Sequence, residues 1–306
     1  MLLRVTELTV RWKMVWTFIK TTLLIGILTG ILFAIAYLLG FSPITALGFA
    51  ALMNLVIYWF SDKFVLRMGG ARLISEQEAP RVYAVLRRLT AASGTKMPKV
   101  ALVNNAMPNA FATGRSPNNA TVAVHTGLLS VVNDEELEGV LAHELTHVRN
   151  WDTLASTIAA TVAGAISYLA QWGWFMGGAY GYGGYGSRDR QSGNAIGLLL
   201  MMVLAPLAAM LVQLAVSRTR EYSADEGGAK LSGKPQALAS ALQKIETWNK
   251  RKPSQTNPGM SSLYIINPFR GSFVTELFST HPSTQKRVAR LQHLAEKMGY
   301  GPFYYQ

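Results

Sequence analysis

The stretch His143-Glu144-Leu145-Thr146-His147 decides the fold and the chemistry expected of this chain. On a helix, two histidines at positions i and i+4 lie on one face about one turn apart, so both imidazoles reach one metal ion. Glu144 lies about 100° further around that helix, which places its carboxylate beside a metal-bound water rather than on the metal. This is the zincin pattern, in which Zn²⁺ acidifies the water and the glutamate takes its proton. A surface helix with two structural histidines is the alternative.

The sequence around this motif predicts a helix inside an α+β domain. Asn133 and Glu136 have the spacing of a capping box, with the cap residue three positions before a glutamate. An apolar stripe continues from that cap through the histidine motif. The pattern further predicts a helix over 76–92, strands over 99–103 and 121–125 with a third strand between them within 109–114, and helices over 235–248 and 282–297.

Composition indicates a membrane protein. The chain has 306 residues, of which 50% are hydrophobic and 15% are charged, with a net charge of +12 and no cysteine. Soluble domains carry roughly 25% charged residues. The absence of cysteine excludes a disulfide scaffold, a thiolate metal site and a cysteine nucleophile. Charged residues are missing from three long intervals, which argues against buried helices of a large soluble protein: 21–61, 153–187 and 191–217.

These intervals predict about four transmembrane helices, because a span needs about 20 apolar residues. The expected spans are 21–39, 44–60, 153–175 and 195–216. A cleavable signal peptide is disfavoured because a second span follows directly. Lys and Arg concentrate on one side of these spans, and the positive-inside rule therefore places both termini and the catalytic domain in the cytoplasm. The predicted parts are an N-terminal segment with a transmembrane hairpin (1–61), a metalloprotease domain (62–152 and 218–306), and a second hairpin (153–217) with a Gly/Tyr-rich outside loop at 177–187.

The second hairpin returns the chain to the histidine helix, where a third metal ligand is required. A catalytic zinc site has three protein ligands and one open position. If the fourth span continues as a helix, Glu221 and Asp225 share one of its faces at i and i+4. We therefore expect Glu221 to be the third ligand and Asp225 to accept a histidine N–H. The alternative for Glu221 is an acid on a helix surface.

Taken together, these motifs resemble the HtpX family of membrane-bound zinc metalloproteases. The resemblance extends to Thr280-His281-Pro282, Arg287 and the stretch from Asn109 to Gly114, and covers essentially the whole chain. A more distant similarity is to the CAAX-prenyl endopeptidases of eukaryotic membranes. The resemblance implies a multi-pass endopeptidase of the prokaryotic plasma (inner) membrane that acts in quality control of misfolded membrane proteins. It implies Glu221 as the third ligand, and contacts to the substrate backbone or oxyanion from Asn109, His281 and Arg287.

Physical reasoning agrees with these implied roles. His281 can donate a hydrogen bond to the tetrahedral intermediate, which makes it a catalytic residue beside Glu144. Its alternative is a loop histidine before the proline that starts a helix. Arg287 can pair with a substrate carbonyl or carboxylate, although a structural ion pair is equally plausible. His125 and His293 are expected to be structural. An extended peptide can add by main-chain hydrogen bonds to an edge strand formed by Asn109, Ala110, Phe111 and Ala112.

The leading hypothesis is an endopeptidase with one Zn²⁺ per chain that acts on membrane proteins or unfolded polypeptides at the cytoplasmic surface of the lipid bilayer. An intramembrane protease is disfavoured because charged residues crowd the histidine helix. A membrane scaffold or transporter with a non-catalytic metal site is the second alternative, but a structural zinc site has four protein ligands and three candidates are found. No motif indicates nucleic acid as a partner, and the sequence predicts no oligomeric state.

Overall fold

The computed structural model describes residues 19, 21–34, 36–37, 40–179, 217–251, 258–266 and 282–301. Its helices are α1 Thr21–Ala34, α2 Pro43–Met68, α3 Pro80–Ser93, α4 Thr126–Val131, α5 Asp134–Arg149, α6 Asp152–Ala179, α7 Arg218–Ser232, α8 Pro235–Arg251 and α9 Thr284–Lys297. Its strands are β1 Ala71–Leu73, β2 Lys99–Val103, β3 Ala110–Ser116 and β4 Asn119–His125, and a 3-10 helix spans Pro258–Leu263.

The helices and strands predicted within the soluble part are confirmed, with shifts at their ends. The helix expected from residue 76 begins at Pro80, because the fixed φ of proline suits the first helical position. The preceding residues form a turn in which the carboxylate of Glu78 accepts a hydrogen bond from the backbone N–H of Ser75 at 2.8 Å. The sequence did not predict the short elements β1, α4 and the 3-10 helix.

The four strands form one mixed sheet in the order β1-β2-β4-β3. Strands β2 and β4 are parallel, whereas β1 and β3 are antiparallel to their neighbours. Because β3 is the last strand in the order, it is an edge strand. Alternate residues serve opposite faces, as the two-residue period of a strand requires. Val122 and Val124 of β4 belong to the core with α3 and α5. Ala123 between them packs in a second core with Val65 of α2 and Ala160 of α6.

Helix α5, which carries the histidine motif, lies at the centre of the domain. Its capping box is complete: the Glu136 N–H donates to Asn133 Oδ1, and the Asn133 N–H donates to Glu136 Oε2, each at 2.9 Å. Helix α7 packs directly against the α5 backbone, because an added Cβ at Gly228 would lie 2.7 Å from the backbone nitrogen of His143. This close approach places the start of α7 beside the two histidines.

Helix α2 is, within the described part of the chain, the one helix long and apolar enough to cross a membrane. Its best 18-residue window has a mean hydropathy of 1.7 and is only 17% buried, unlike the core helix of a soluble protein. Helix α1 and the apolar part of α6 (Asp152–Ile166) are shorter, and they pack against each other through Leu24, Leu28 and Ile158. The spans predicted at 21–39 and 153–175 fall on α1 and α6, whose apolar stretches are shorter than a full span. The span at 195–216 lies outside the described residues, so four spans remain a prediction.

Candidate metal centre

Three side chains from two helices converge at one point. His143 and His147 come from α5, and Glu221 comes from the first turn of α7. One nitrogen or carboxylate oxygen of each residue lies within 4.8 Å of the other two. Glu221 Oε2 is 3.8 Å from His143 Nε2, and Glu221 Oε1 is 3.4 Å from His147 Nε2. The structure thus brings together the three residues that the sequence predicts as metal ligands.

Asp225 lies behind His143, one turn along α7 from Glu221. Its Oδ1 is 3.0 Å from His143 Nδ1, although the two groups are not aligned as a linear hydrogen bond. Both side chains are almost fully buried. Burial lowers the pKa of His143, so the neutral imidazole that a metal ion requires is favoured there. Asp225 therefore stands where the sequence predicted an acceptor for a histidine N–H.

Asp152 holds His147 in the same way, although the sequence predicts no role for it in the site. Its Oδ2 lies 3.1 Å from His147 Nδ1. Its other oxygen is 3.6 Å from a guanidinium nitrogen of Arg220. Although burial alone lowers the pKa of His147, the carboxylates of Asp152 and Glu221 raise it well above its ordinary range. The two histidines thus each have a carboxylate at Nδ1, which leaves both Nε2 atoms facing Glu221.

A tight turn brings Asp152 to His147. Helix α5 ends at Arg149, and Trp151 adopts a positive φ of 61°, a conformation uncommon for a bulky residue. Asp152 then begins α6. Had α5 continued, a residue five positions beyond His147 would have lain on a different face of the helix. The signal for Asp152 in the sequence is an acid just beyond the end of the motif helix, where it also reads as a charge near a membrane span.

Arg287 of α9 is engaged with protein partners. Its Nε and one terminal nitrogen donate to the two oxygens of Asp225 at 2.8 and 2.6 Å, and its other terminal nitrogen donates to the carbonyl of Ile265 at 2.6 Å. The residue is 1% exposed. Against the effect of burial, the guanidinium holds the pKa of Asp225 below its usual range. These contacts favour a structural ion pair over the substrate contact predicted for Arg287.

Glu144 lines the same cavity as the three converging residues. Its carboxylate accepts a hydrogen bond from the backbone N–H of Ala112 on the edge strand β3. Burial raises the pKa of Glu144 to about 7, and the neighbouring charge of Glu221 acts in the same direction, whereas His147 and the Ala112 N–H oppose them. A carboxylate with a pKa near neutrality both accepts a proton and returns it, as a general base and acid must.

The cavity beside these groups measures about 40 Å³ and is walled by residues 262–265 and by Phe111 and Ala112. Asn109 does not line it. The Asn109 amide donates to the carbonyl of Leu263 at 3.4 Å and accepts from the N–H of Ile265 at 3.0 Å. Ala110 pairs with Val124 inside the sheet. Of the four predicted edge-strand residues, Phe111 and Ala112 therefore line the cavity. Asn109 instead holds residues 263–265, which form part of the cavity wall.

The donor set fits a divalent metal ion. Two imidazole nitrogens and one carboxylate are the ligands of one class of catalytic zinc sites, and carboxylates at the far nitrogens orient such histidines. The cavity has room for an ion and a water molecule beside the three donor atoms. The metal-binding residues of this site would be His143, His147 and Glu221.

The other two described histidines, His125 and His293, lie elsewhere. His125 is 2% exposed, with its Nδ1 3.0 Å from the carbonyl of Met107, and burial lowers its pKa to about 4. His293 is exposed on α9, near Glu296. Both placements agree with the structural roles expected for them. His281, predicted to be catalytic, lies outside the described residues.

Comparisons with known proteins give a consistent result. The sequence model of peptidase family M48 matches residues 76–295. A protein named Protease HtpX homolog from Thermococcus sibiricus is 52% identical over 284 residues, which cover 92% of this chain and 97% of the relative. The protein of the same name from Pyrococcus abyssi is 51% identical over 288 residues, with coverages of 92% and 97%. The one from Aquifex aeolicus is 49% identical over 261 residues, with coverages of 83% and 84%.

Among solved structures, the crystal structure of S. mikatae Ste24p is similar to this chain with a TM-score of 0.48 and 16% sequence identity. The match covers 87% of this chain and 62% of that chain, so this protein spans about three fifths of its length.

Proposed function

The chain belongs to peptidase family M48 and within it to the HtpX family of membrane-associated metalloproteases, and from this premise we propose that it is a zinc endopeptidase with Glu144 as its catalytic base. One observation carries the proposal: the donor atoms of His143, His147 and Glu221 lie within 4.8 Å of one another. Glu144 lies on the same cavity without being a member of that group.

The residues around the cavity divide the chemistry between them. His143, His147 and Glu221 would hold one zinc ion, which when bound supplies Lewis acidity toward a water molecule and the substrate carbonyl. Glu144 would take a proton from the attacking water and pass it to the leaving amine, a role that its pKa of about 7 suits. Asp225 and Asp152 would keep the histidines in the tautomer and orientation that ligation needs. His281 is proposed as the donor to the tetrahedral oxyanion on the resemblance alone.

The substrate of this reaction is a polypeptide, as for any protease. We propose that an extended segment adds along β3, which is the edge of the sheet and carries the Ala112 N–H next to Glu144. Unfolded or misfolded membrane proteins suit this mode, because they present extended backbone near the bilayer. Arg287 enters the proposal as a positioning residue that orients Asp225, in place of its predicted contact with substrate.

The membrane arrangement forms part of the same proposal. Residues 62–152 and 218–306 would form one cytoplasmic catalytic unit, joined through the hairpin 153–217 and anchored by the hairpin within 1–61. The asymmetry of Lys and Arg supports this orientation. The contact of α7 with α5 at Gly228 supports a single unit made from both stretches. A reporter enzyme fused to the C-terminus tests this orientation. Activity only on the outer side of the membrane would show that the orientation is inverted.

The alternative, a membrane scaffold or transporter with a non-catalytic metal site, is not favoured. The relatives that cover nearly the whole chain are named as proteases, and the described residues offer three ligands at the site, not the four of a closed structural zinc centre.

The substitution Glu144→Gln tests the proposal. It removes the base while leaving all three ligands, so zinc content should stay at one per chain while hydrolysis of unfolded casein in detergent falls by about 10²–10⁴-fold. Glu135→Gln provides the control, because Glu135 is an exposed acid on the same helix that pairs with Lys234, and this variant should keep full activity. Near-parental cleavage by a zinc-loaded Glu144→Gln protein would show that another group is the base.

A further inference from the structure

A second, larger cavity lies away from the metal centre, beside the end of α2. Its volume is about 520 Å³, within the range of ligand-binding pockets. One wall comes from the last turns of α2, with Trp59, Phe60 and Lys63. The other wall comes from the loop before β2 and the hairpin between β3 and β4. We call this space the basic cavity, because its cationic lining residues are Lys63, Lys96, Lys99 and Arg115.

Within the described part of the chain, the positive charge of the basic cavity is not neutralised by neighbouring acids. One acid, Asp62, lines it alongside four cations. Among the described residues, none of the four cations forms an ion pair with a carboxylate, whereas other surface cations such as Arg72 and Arg87 do. Four clustered cations facing one acid leave a local potential that favours an anion.

Aromatic side chains shape one side of this space. The Arg115 guanidinium lies 4.2 Å from the centre of the Trp59 ring, a cation–π contact that holds the cation at the cavity. Lys63 Nζ lies 5.4 Å from the centre of the Phe60 ring. Trp59 and Phe60 remain 47% and 54% exposed. The basic cavity thus combines fixed cations with exposed aromatic surface.

Its position relative to α2 indicates the source of the anion. The exposed face of α2 is apolar from Ile44 to Phe60, and the first charges of the helix are Asp62 and Lys63. That change from apolar to charged residues marks the level at which hydrocarbon gives way to headgroups, where aromatic residues concentrate. The basic cavity lies at this level, because Trp59, Phe60, Asp62 and Lys63 of α2 line it.

We propose that the basic cavity binds the phosphate headgroup of an anionic membrane lipid, whose acyl chains lie along α2. Lys63, Lys96, Lys99 and Arg115 supply the charge for the phosphate, and the aromatic side chains contact the glycerol and upper acyl region. The site is separate from the metal centre, since none of its residues lines the cavity there. Each cation near an anionic lipid surface raises the affinity for that surface by about fivefold.

The test compares lipid retention by the full-length protein and two charge-matched variants. Native mass spectrometry of protein released from nanodiscs of phosphatidylcholine with phosphatidylglycerol counts the lipids that stay bound. The triple variant Lys96→Gln/Lys99→Gln/Arg115→Gln should weaken phosphatidylglycerol binding by about 100-fold. The control Lys230→Gln/Lys250→Gln/Lys297→Gln removes the same charge from exposed sites on α7, α8 and α9 and should retain the lipid as the parent does.

Further arms decide between the sources of the anion and guard against misfolding. If inorganic phosphate displaced the lipid at equal concentration, the cavity would be a site for a soluble anion and the lipid proposal would be wrong. If both triple variants lost the lipid equally, the binding would depend on general surface charge and not on the basic cavity, and the proposal would be wrong. If the triple variant does not fold, the double variant Lys96→Gln/Lys99→Gln replaces it, because both lysines are exposed and the contact of Arg115 with Trp59 is kept. The double variant should weaken lipid binding about 25-fold. An unchanged lipid count in a folded variant would refute the proposal, as would displacement of the lipid by an acidic peptide that binds more tightly.

Discussion

Replacing Arg287 with lysine should reduce both folding stability and zinc affinity. Arg287 makes two hydrogen bonds to Asp225 and one to the carbonyl of Ile265, all between 2.6 and 2.8 Å and all buried. A lysine keeps the charge but cannot reproduce the planar fork, so at least one charged hydrogen bond is lost. Such bonds contribute about 1.5–3 kcal/mol each, and we expect a loss of about 2–3 kcal/mol in the free energy of unfolding.

The effect on zinc follows from the contact of Asp225 with His143. A loosened Asp225 no longer fixes the imidazole whose Nδ1 lies 3.0 Å from it. Changes behind a metal ligand typically weaken binding by about 10–100-fold, and we expect that range here. Competition with a chelator measures the zinc affinity, denaturant unfolding in detergent measures stability, and hydrolysis of an unfolded protein at saturating zinc separates kcat from KM.

The comparison distinguishes a positioning residue from a substrate contact. Lys286→Gln on the same helix is the control, because Lys286 is exposed, and it should change neither stability nor zinc affinity. If Arg287→Lys left both quantities at parental values and raised KM alone, Arg287 would be a substrate contact and the reasoning from its buried ion pair would be wrong.

Three further outcomes are expected. Asp152→Ala should weaken zinc binding about 10–100-fold by freeing His147, and unchanged affinity in a chelator titration would exclude that role. The folded pKa of His125 is lowered to about 4, so the unfolded chain alone takes up a proton as the pH falls from about 6.5 to about 4. Stability present above that window should therefore decline by up to about 3 kcal/mol through it. His125→Gln should lose this part of the pH dependence in denaturant titrations, and an identical pH profile would contradict the assignment. Gly228→Ala puts a methyl group 2.7 Å from the backbone of α5, which should lower stability by about 1–3 kcal/mol and weaken zinc binding by separating Glu221 from the histidines; a parental zinc affinity would show that the helices tolerate the methyl group.

Features that depend on the spacing of residues within one turn of a helix could be predicted from the sequence. The capping box of Asn133 and Glu136 needs only a spacing of three residues, and the structure forms it. The shared face of His143 and His147 follows from a spacing of four. The convergence of Glu221 on that face required the further assumption that residues 153–217 form a hairpin, and the direct contact of α7 with α5 brings these residues together.

Features that depend on a single unusual dihedral angle or on distant packing could not be predicted. Asp152 reaches His147 only because Trp151 adopts a positive φ, which no pattern of residue types indicates for a tryptophan. The partner of Arg287 is fixed by how α9 packs on α7, and an isolated arginine in the sequence carries no sign of which acid it will meet. Asn109 similarly binds residues 263–265, far along the chain.

The placement of the proposed metal-binding residues on opposite sides of residues 153–217 has a consequence for biosynthesis. A ribosome makes α5 well before Glu221, and the first half of the domain can fold while the second is still being made. Two histidines alone do not complete a catalytic metal centre, so a chain that ends before Glu221 would lack the proposed proteolytic site. Once α7 docks on α5, an ion that binds only the assembled pair of helices stabilises that docking by mass action. The protein would therefore be inert toward its neighbours, and toward itself, until synthesis has passed Glu221 and α7 has docked.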